Sequence, residues 1–378
     1  MVSLDRNAIV GVIGAGTMGS GIAQIAAMAG QVCWVCDTSS AALERSKASL
    51  EKIMARLVEK QRLTVEESQA VLERIKFTES IEGLGDSALV IEAIIEDLEI
   101  KQKTFATVEQ IVKADCVLAS NTSSLSVASL AAILEAPERF LGVHFFNPAP
   151  LMPLVEIVPG LASAAAVVSA TRNLIDTWGK TTVLAKDTPG FIVNRVARPF
   201  YGEALRIYEE GIADHATIDW ALKELGGFRM GPFELMDLIG NDVNFAVTQT
   251  VFEAFFYDPR FRPSFVQQRM VEAGRLGKKT GYGYYQYGDK AQNVGPCKDR
   301  ELGEKIISRV RAMLINEAAD AVFMQVASVA DVDLAMTKGV NYPKGLLAWA
   351  DELGPEHVLR ELEDLQAEYG EDRYLSLI

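Results

Sequence analysis

Cysteine and histidine are scarce in this chain, with only 4 cysteines and 3 histidines among 378 residues. Cys33, Cys36 and Cys116 lie in apolar, strand-like runs, and we interpret them and Cys297 as reduced core thiols rather than disulfide partners. Cys33 and Cys36 form a C-x-x-C motif, but no second ligand pair lies near it. No metal site is therefore predicted.

Long apolar runs and an excess of positive charge are also missing. No apolar stretch reaches the roughly 18–20 residues that a membrane span needs. The chain begins almost directly with a strand, so we expect no signal peptide and a cytoplasmic protein. The 37 basic and 51 acidic residues give a net charge of −14, which argues against nucleic acid as a partner.

What the chain does contain is a regular alternation of apolar strand-like runs and helical patterns. Such alternation is typical of an α/β fold with a parallel, doubly wound sheet. The predicted strands cover residues 9–13, 32–36, 88–94, 116–120, 140–146, 154–158 and 181–185. The length predicts two or three domains.

A glycine-rich motif follows the first predicted strand and opens a helix. It reads Gly14-Ala15-Gly16-Thr17-Met18-Gly19, which is G-x-G-x-x-G. In this context the glycines let the backbone approach a pyrophosphate, and the helix N-terminus stabilises its charge. Asp37 ends the second predicted strand, where a carboxylate accepts hydrogen bonds from ribose hydroxyls and repels a 2′-phosphate. NAD is therefore predicted over NADP.

The pattern changes from mixed to helical near Asp187. Residues 1–187 are predicted to form a Rossmann-type NAD-binding domain, and residues 188–287 an all-α domain whose tail at 282–287 is strand-like. A polar, turn-rich linker follows at 288–300. Residues 301–378 are predicted to be a partial second copy of the helical domain.

The repeat is visible at an offset of 114 residues. Arg195 then matches Arg309, and Glu203 matches Glu317. Asp219 likewise matches Asp333, while Ala204 and Ala221 match Ala318 and Ala335. Asn194 falls on Ser308, so the second copy lacks this amide and is predicted to be structural.

Residues 40–75 hold two helical patterns in series, where a crossover between parallel strands needs only one helix. The additional helix predicts a basic helical hairpin that stands off the sheet. Its basic residues are Lys47, Lys52, Arg56, Lys60 and Arg62.

His144 ends an apolar strand, where a lone histidine is usually a core residue. However, His144 and Glu156 are symmetric about Pro150, within the turn-forming segment 147–150. If the two flanking strands pair antiparallel, the two side chains lie opposite each other. A carboxylate beside an imidazole raises its basicity, which suits a group that removes a hydroxyl proton. A catalytic pair and a structural pair both remain open on spacing alone.

Two further polar positions are candidates for substrate contacts. Ser123 lies in Asn121-Thr122-Ser123-Ser124 after a predicted strand, where short hydroxyls either bind a substrate oxygen or cap the next helix. Asn194 lies too far inside a helical pattern to be a cap, so an inward polar role is favoured.

Seven segments of the chain together resemble the 3-hydroxyacyl-CoA dehydrogenase family. They are VIGAGTMGSGIAQ, VIEAIIED, ASNTSSLS, HFFNPAPLMPLVEIV, DTPGFIVNR, MGPFELMDLIG and GRLGKKTGYGYY. The resemblance covers about residues 5–288, and the tail is similar to the partial repeat of longer members. It implies reversible, NAD-dependent oxidation of an (S)-3-hydroxyacyl-CoA.

The resemblance also implies roles for individual residues. His144 is the acid/base, Glu156 its partner, Ser123 the ligand of the reacting oxygen and Asn194 a group that stabilises the thioester region. The implied NAD contacts are Gly14, Gly16, Thr17, Met18, Gly19, Asp37, Glu96, Lys101, Asn121, Ser123 and Asn147. Arg56 and Lys60 on the hairpin are the implied CoA contacts.

The acyl chain and the oligomeric state stay open at this stage. The chain is similar to bacterial 3-hydroxybutyryl-CoA and 3-hydroxyadipyl-CoA dehydrogenases alike. Arg262, Arg269 and Arg275 are either ligands of a terminal carboxylate or ordinary surface arginines. The family's helical domain forms a homodimer, and the tail repeat is a candidate to cover that surface. The alternative functions are oxidation of free sugar acids and non-catalytic NAD binding.

Overall fold

The computed structural model describes residues 4–289 and 291–377. These residues form two compact units, and the division falls between Thr188 and Pro189. The predicted linker 288–300 includes residue 290, which lies outside the described residues. No helix of the described part is long and apolar enough to cross a membrane.

The first unit is built on one eight-stranded sheet in the order β3-β2-β1-β4-β5-β6-β7-β8. Its strands are β1 (Val10–Ile13), β2 (Cys33–Cys36), β3 (Ile75–Thr78), β4 (Leu89–Glu92), β5 (Val117–Ser120), β6 (Phe140–Phe145), β7 (Leu154–Pro159) and β8 (Thr181–Leu184). All neighbours are parallel except β6 and β7, which are antiparallel. The predicted doubly wound α/β fold is confirmed.

Helices cover this sheet because the central strands are apolar on both faces and must be buried. They are α1 (Thr17–Met28), α2 (Ser40–Glu59), α3 (Val65–Arg74), α4 (Leu98–Glu109), α5 (Val127–Ala131) and α6 (Ala165–Thr177). Val12 and Val35 from the strands share one buried core with Ile22 of α1 and Leu174 of α6.

Strand β3 was missing from the sequence prediction, which placed 40–75 in helices and the next strand at 88. β3 has only 4 residues, follows α3 directly, and pairs with β2 alone at the sheet edge. Lys76 is exposed within it, so it lacks the continuous apolar run that marks the central strands.

Helices α2 and α3 form the predicted hairpin, but it does not stand off the sheet along its whole length. Leu43, Leu50 and Met54 of α2 and Val71 of α3 belong to the same core as β1 and α1. The Ser20 and Ser46 hydroxyls also hydrogen-bond at 2.7 Å between α1 and α2. An amphipathic stripe on α2 is the reason, because burying it stabilises the hairpin more than solvent exposure would.

The second unit is helical. Its helices are α7 (Val193–Val196), α8 (Arg198–Glu209), α9 (His215–Trp220), α10 (Pro232–Ile239), α11 (Asn241–Ala254), α12 (Phe265–Glu272), α13 (Arg300–Phe323), α14 (Val329–Gly339), α15 (Leu346–Leu353) and α16 (Pro355–Tyr369). The strand expected at 282–287 is absent, and only isolated bridges join Tyr282 to Gly277 and Gln286. The Asp237 carboxylate instead accepts the backbone N–H groups of Tyr284 and Tyr285, which a strand would have used.

The sequence repeat has a structural counterpart in reciprocal ion pairs. Arg195 binds Glu317 at 2.7 Å, and its counterpart Arg309 binds Glu203 at 2.9 Å. A local motif repeats too. Asp219 accepts the N–H groups of Phe233 and Glu234, and Asp333 accepts those of Leu347 and Ala348, each 114 residues later.

Candidate active site

The glycine-rich loop joins β1 to α1. Gly14 has φ +103°, and a Cβ there would lie 2.5 Å from the Ala93 carbonyl oxygen, so only glycine fits. A Cβ at Gly16 would have no neighbour within 4 Å, which leaves the loop open on that side. Gly16 also begins α1 without a side-chain cap. The first N–H groups of α1 therefore suit an anion such as a pyrophosphate.

Asp37 follows β2 and binds the same loop. Its Oδ2 accepts the Ala15 N–H at 2.8 Å, and its Oδ1 accepts the Ser39 N–H at 2.9 Å. A carboxylate oxygen can accept a second hydrogen bond, so ribose hydroxyls fit here without breaking these contacts. The carboxylate is part-exposed, and a negative charge of this kind repels a phosphate group.

A cavity of about 1080 Å³ lies beside this loop. It is lined by Gly14, Gly16 and Asp37, and also by residues that the sequence did not single out, among them Ile81, Ile95, Ile100, Lys103 and Thr107. Ile95, three residues after the end of β4, is 67% exposed. In the sequence, Ile95 comes directly after the predicted strand 88–94, and an isoleucine at that position was the signal that was missed. Such apolar walls suit a flat nucleotide base.

A buried ion cluster lies next to this cavity. The Lys101 ammonium is 2.5 Å from Glu92 Oε1 and 3.1 Å from Glu96 Oε2. Lys101 is 1% exposed and Glu92 is fully buried. The Ser120 hydroxyl donates to Glu92 at 2.7 Å and accepts the Thr122 N–H at 3.1 Å. Glu92, which the sequence did not single out, thus joins the ends of β4 and β5 to α4.

Glu96 holds the loop that carries Ser123. One of its oxygens accepts the Thr122 hydroxyl at 2.6 Å and the backbone N–H groups of Ser123 and Ser124 at 3.0 and 3.2 Å. Burial opposes the charge, but the Lys101 ammonium and these hydrogen bonds outweigh it and lower the pKa of Glu96. A carboxylate that stays ionised can keep this loop in one conformation at neutral pH.

His144 and Glu156 meet across the β6–β7 pair. The two residues are direct partners in the antiparallel register, as the sequence predicted. His144 Nδ1 and Glu156 Oε2 are 2.7 Å apart. Both side chains are buried, Glu156 completely. Contact with a buried carboxylate orients the ring and stabilises a positive charge on it.

Other predicted site residues of the first unit lie after strands β5 and β6 or at the end of helix α2. The Asn121 side-chain oxygen accepts the Phe145 N–H at 2.9 Å, so it holds β6 directly after His144. Ser123 is half-buried, and Asn147 is exposed in the turn after β6. Arg56 and Lys60 are exposed and one turn apart at the end of α2.

Asn194 belongs to the second unit, where it is half-buried in α7. Its predicted role therefore stays a prediction.

The cysteines have no catalytic environment. Cys33, Cys36 and Cys116 are free thiols in the strand region, and burial raises the pKa of Cys33 and Cys116 to about 12 and that of Cys36 to about 11. Cys297 is free but exposed, so its interpretation as a core thiol was wrong. Within the described ranges, no cluster of three or more His, Cys, Asp or Glu side chains is placed to hold a metal ion.

Family profiles match nearly the whole chain. The profile "3-hydroxyacyl-CoA dehydrogenase, NAD binding domain" matches residues 9–188. The profile "3-hydroxyacyl-CoA dehydrogenase, C-terminal domain" matches residues 190–287 and again 306–377.

Individual relatives agree with these profiles. The 3-hydroxyadipyl-CoA dehydrogenase of Escherichia coli K12 is 40% identical, over 97% of this chain and 95% of its own length. A 3-hydroxybutyryl-CoA dehydrogenase of Bradyrhizobium diazoefficiens is 41% identical, over 74% of this chain and 94% of its own. The crystal structure of an Escherichia coli 3-hydroxybutyryl-CoA dehydrogenase superposes with a TM-score of 0.93 at 39% identity, covering 98% of this chain and 96% of that one. This chain belongs to the 3-hydroxyacyl-CoA dehydrogenase family, and it is an NAD-dependent oxidoreductase.

Proposed function

We propose that the protein oxidises the 3-hydroxyl of an (S)-3-hydroxyacyl-CoA to a ketone, reversibly, with His144 as the acid/base. One observation carries this proposal: the buried 2.7 Å contact between His144 Nδ1 and Glu156, in the same unit as a loop that suits a dinucleotide. Oxidation of an alcohol needs a group that accepts the hydroxyl proton, and imidazole is a common general base in enzymes.

The proton follows a defined route in this proposal. Glu156 engages Nδ1, so we assign the proton exchange to Nε2 of His144. Nε2 takes the hydroxyl proton as the C3–H bond breaks, and the oxygen becomes a carbonyl. Glu156, fully buried, keeps the ring in the required tautomer and balances the imidazolium charge. In the reverse direction Nε2 returns the proton to the oxygen.

NAD supplies the hydride acceptor when it is bound. In our proposal the backbone of Gly14, Gly16, Thr17, Met18 and Gly19 holds the pyrophosphate, and Asp37 the ribose. The open face at Gly16, the uncapped start of α1 and the cavity beside them support this assignment. Asn147 is proposed to lie near the nicotinamide.

Several polar groups are proposed to position the reacting atoms. Ser123 binds the oxygen on C3, and Asn194 binds the thioester region. Glu96 positions Ser123 through the loop that it binds. Lys101 holds Glu96 in place, because its ammonium is buried between Glu96 and a second carboxylate. Asn121 acts through β6, because it holds the backbone next to His144.

The CoA moiety is proposed to bind the hairpin of α2 and α3. Arg56 and Lys60 are exposed at its end and one turn apart, which suits phosphate groups. A dehydrogenase for free sugar acids would not need this basic arm. A non-catalytic NAD-binding protein would not need the His144–Glu156 pair.

A substrate comparison tests the function directly. We expect NADH formation from 3-hydroxybutyryl-CoA and 3-hydroxyadipyl-CoA, with kcat/KM for free 3-hydroxybutyrate or gluconate lower by about 100-fold or more, because binding energy from CoA is lost. Absorbance at the NADH maximum measures all four reactions. Equal or faster turnover of a free acid would contradict the proposal, and so would NADH binding without turnover of any compound.

The tail is proposed to replace a second subunit. Arg195–Glu317 and Arg309–Glu203 are the reciprocal contacts expected of two matching surfaces, but both partners lie in one chain. We therefore expect a particle of 41.2 kDa by light scattering, the mass of one chain. A stable particle of twice that mass would contradict this proposal.

We also infer a cytoplasmic location, which free, buried thiols favour.

A further inference from the structure

Arg198 is a buried cation without a carboxylate partner. Its side chain is 7% exposed at the start of α8. No carboxylate of the described residues forms an ion pair with it, and its Nε–H has no acceptor. Burial lowers the pKa of Arg198, and two nearby tyrosines only partly offset the effect. Because an unpaired buried charge is costly, its presence points to an anion that binds from outside the chain.

The surroundings of Arg198 are polar and incompletely satisfied. Its Nη1 donates to the Thr248 hydroxyl at 3.2 Å, and its guanidinium lies over the Tyr201 ring at 4.9 Å. The Tyr342 hydroxyl, also buried, has no hydrogen-bond partner in the described part of the chain. The Phe200 ring contacts the rings of both Tyr201 and Tyr342, so Arg198 and the two tyrosines belong to one cluster. Two unused donors at one place suit a carboxylate.

The internal repeat shows that the fold does not need this cluster. At the offset of 114 residues, Arg198 is replaced by Ala312, Tyr201 by Ile315 and Thr248 by Leu362. These three replacements are buried and apolar in the second copy. The same helical arrangement therefore forms with a hydrophobic core. The polar cluster of the first copy has a purpose other than packing.

Arg198 also lies at a suitable distance from a proposed substrate contact. It follows Asn194 by four residues, and Ala197 between them keeps a right-handed helical conformation. Positions four apart share one helix face and are separated by about 6 Å along the axis. This distance is close to the length of an extended six-carbon chain, at about 1.5 Å per C–C bond.

We propose that Arg198 and Tyr342 bind the terminal carboxylate of a dicarboxylic acyl chain, so that the preferred substrate is a 3-hydroxyacyl-CoA with an acidic end. This inference rests on the proposed function and specifies its substrate class. Asn194 then contacts the thioester region and Arg198 the far end of the chain. Tyr342 comes from the tail, so the second copy contributes to specificity.

The three arginines that the sequence offered as carboxylate ligands are less suited to that role than Arg198. Arg262 is 58% exposed with Glu371 at 4.0 Å, and Arg269 is 71% exposed and pairs with Glu272. Arg275 lies over the Tyr282 ring. Solvent weakens a carboxylate contact at such exposed positions, whereas burial strengthens it at Arg198.

Steady-state kinetics of the full chain with two substrates test the inference. We expect the wild type to prefer 3-hydroxyadipyl-CoA over 3-hydroxybutyryl-CoA. Arg198→Met keeps the apolar volume and should lower kcat/KM for the adipyl substrate roughly 10- to 100-fold, the usual effect of losing charged hydrogen bonds. The butyryl substrate should change by less than about threefold, since it has no charged end. Arg300→Met, at an exposed pair with Glu304, is the matched control.

Each other outcome has a defined meaning. The inference would be overturned if Arg198→Met lowered kcat/KM equally for both substrates, or for neither. A selective loss for the adipyl substrate in Arg262→Met instead would also overturn it. If Arg198→Met does not fold, the same kinetic comparison with Arg198→Lys and Tyr342→Phe tests the inference. Tyr342→Phe should lower kcat/KM for the adipyl substrate about fivefold. If neither variant changes kcat/KM selectively for that substrate, the inference is overturned. If the wild type oxidises neither thioester, the proposed function itself fails.

Discussion

Replacing His144 by glutamine is expected to reduce kcat for 3-hydroxybutyryl-CoA oxidation by about 10²–10⁴-fold, the usual contribution of a general base. Glutamine has a similar size and can hydrogen-bond Glu156, but it cannot accept the hydroxyl proton. NADH affinity should stay close to the wild-type value, because the glycine loop and Asp37 are untouched. Stopped-flow turnover and NADH fluorescence titration measure the two quantities separately.

Two further variants make this experiment specific. His357→Gln changes an exposed histidine in α16 and should leave turnover unchanged. Glu156→Gln keeps the shape of the partner but removes its charge, so we expect kcat to fall while NADH still binds. Turnover of His144→Gln within tenfold of the wild type would exclude His144 as the base.

Replacing Glu203 by glutamine is expected to lower the free energy of unfolding of the second unit by about 3–5 kcal/mol, the typical cost of breaking a buried ion pair. Glu203 is 1% exposed, and its carboxylate contacts Arg206, Arg309 and Arg373. Removing the charge leaves three arginines without this shared partner. Urea unfolding followed by the fluorescence of Trp220 and Trp349, the tryptophans of this unit, measures the change.

The same carboxylate predicts how stability depends on pH. Burial raises the pKa of Glu203, but Arg206, Arg373 and Arg309 outweigh burial and lower it below its ordinary value. The stabilisation is therefore complete above the pKa of an unfolded glutamate and is lost as the pH falls through the lower folded value.

Glu304→Gln is the control for this prediction. It breaks an exposed pair with Arg300 and should change stability by less than about 0.5 kcal/mol. An equally small effect of Glu203→Gln would mean that the arginines find other partners or water.

Much of the fold and part of the site were predictable from local patterns. Buried parallel strands need continuous apolar runs, and a dinucleotide loop needs glycines between a strand and a helix. Both requirements are met by neighbouring residues, so both are visible in the chain. The pairing of His144 with Glu156 was predictable for a similar reason, because a turn centred on Pro150 sets the register of the two strands. Strand β3 has no such pattern, since an edge strand of 4 residues needs little apolar character.

Other features depend on residues that are distant in sequence. Folding places the Lys101 ammonium between Glu92 and Glu96, where it supports the loop that carries Ser123, and its place at the cofactor stays a prediction. The reciprocal pairs of Arg195 and Arg309 required both copies of the helical repeat to meet.

Arg198 shows the difference most clearly. In the chain it is one of many arginines, and nothing in its neighbours indicates that it lacks a carboxylate partner. Burial and the absence of a counter-charge are properties of the packed protein, because they depend on every group that surrounds the side chain. Residue order could therefore predict the family, the sheet and the pairing of His144 with Glu156, whereas the proposed preference for an acidic acyl chain rests on three-dimensional packing.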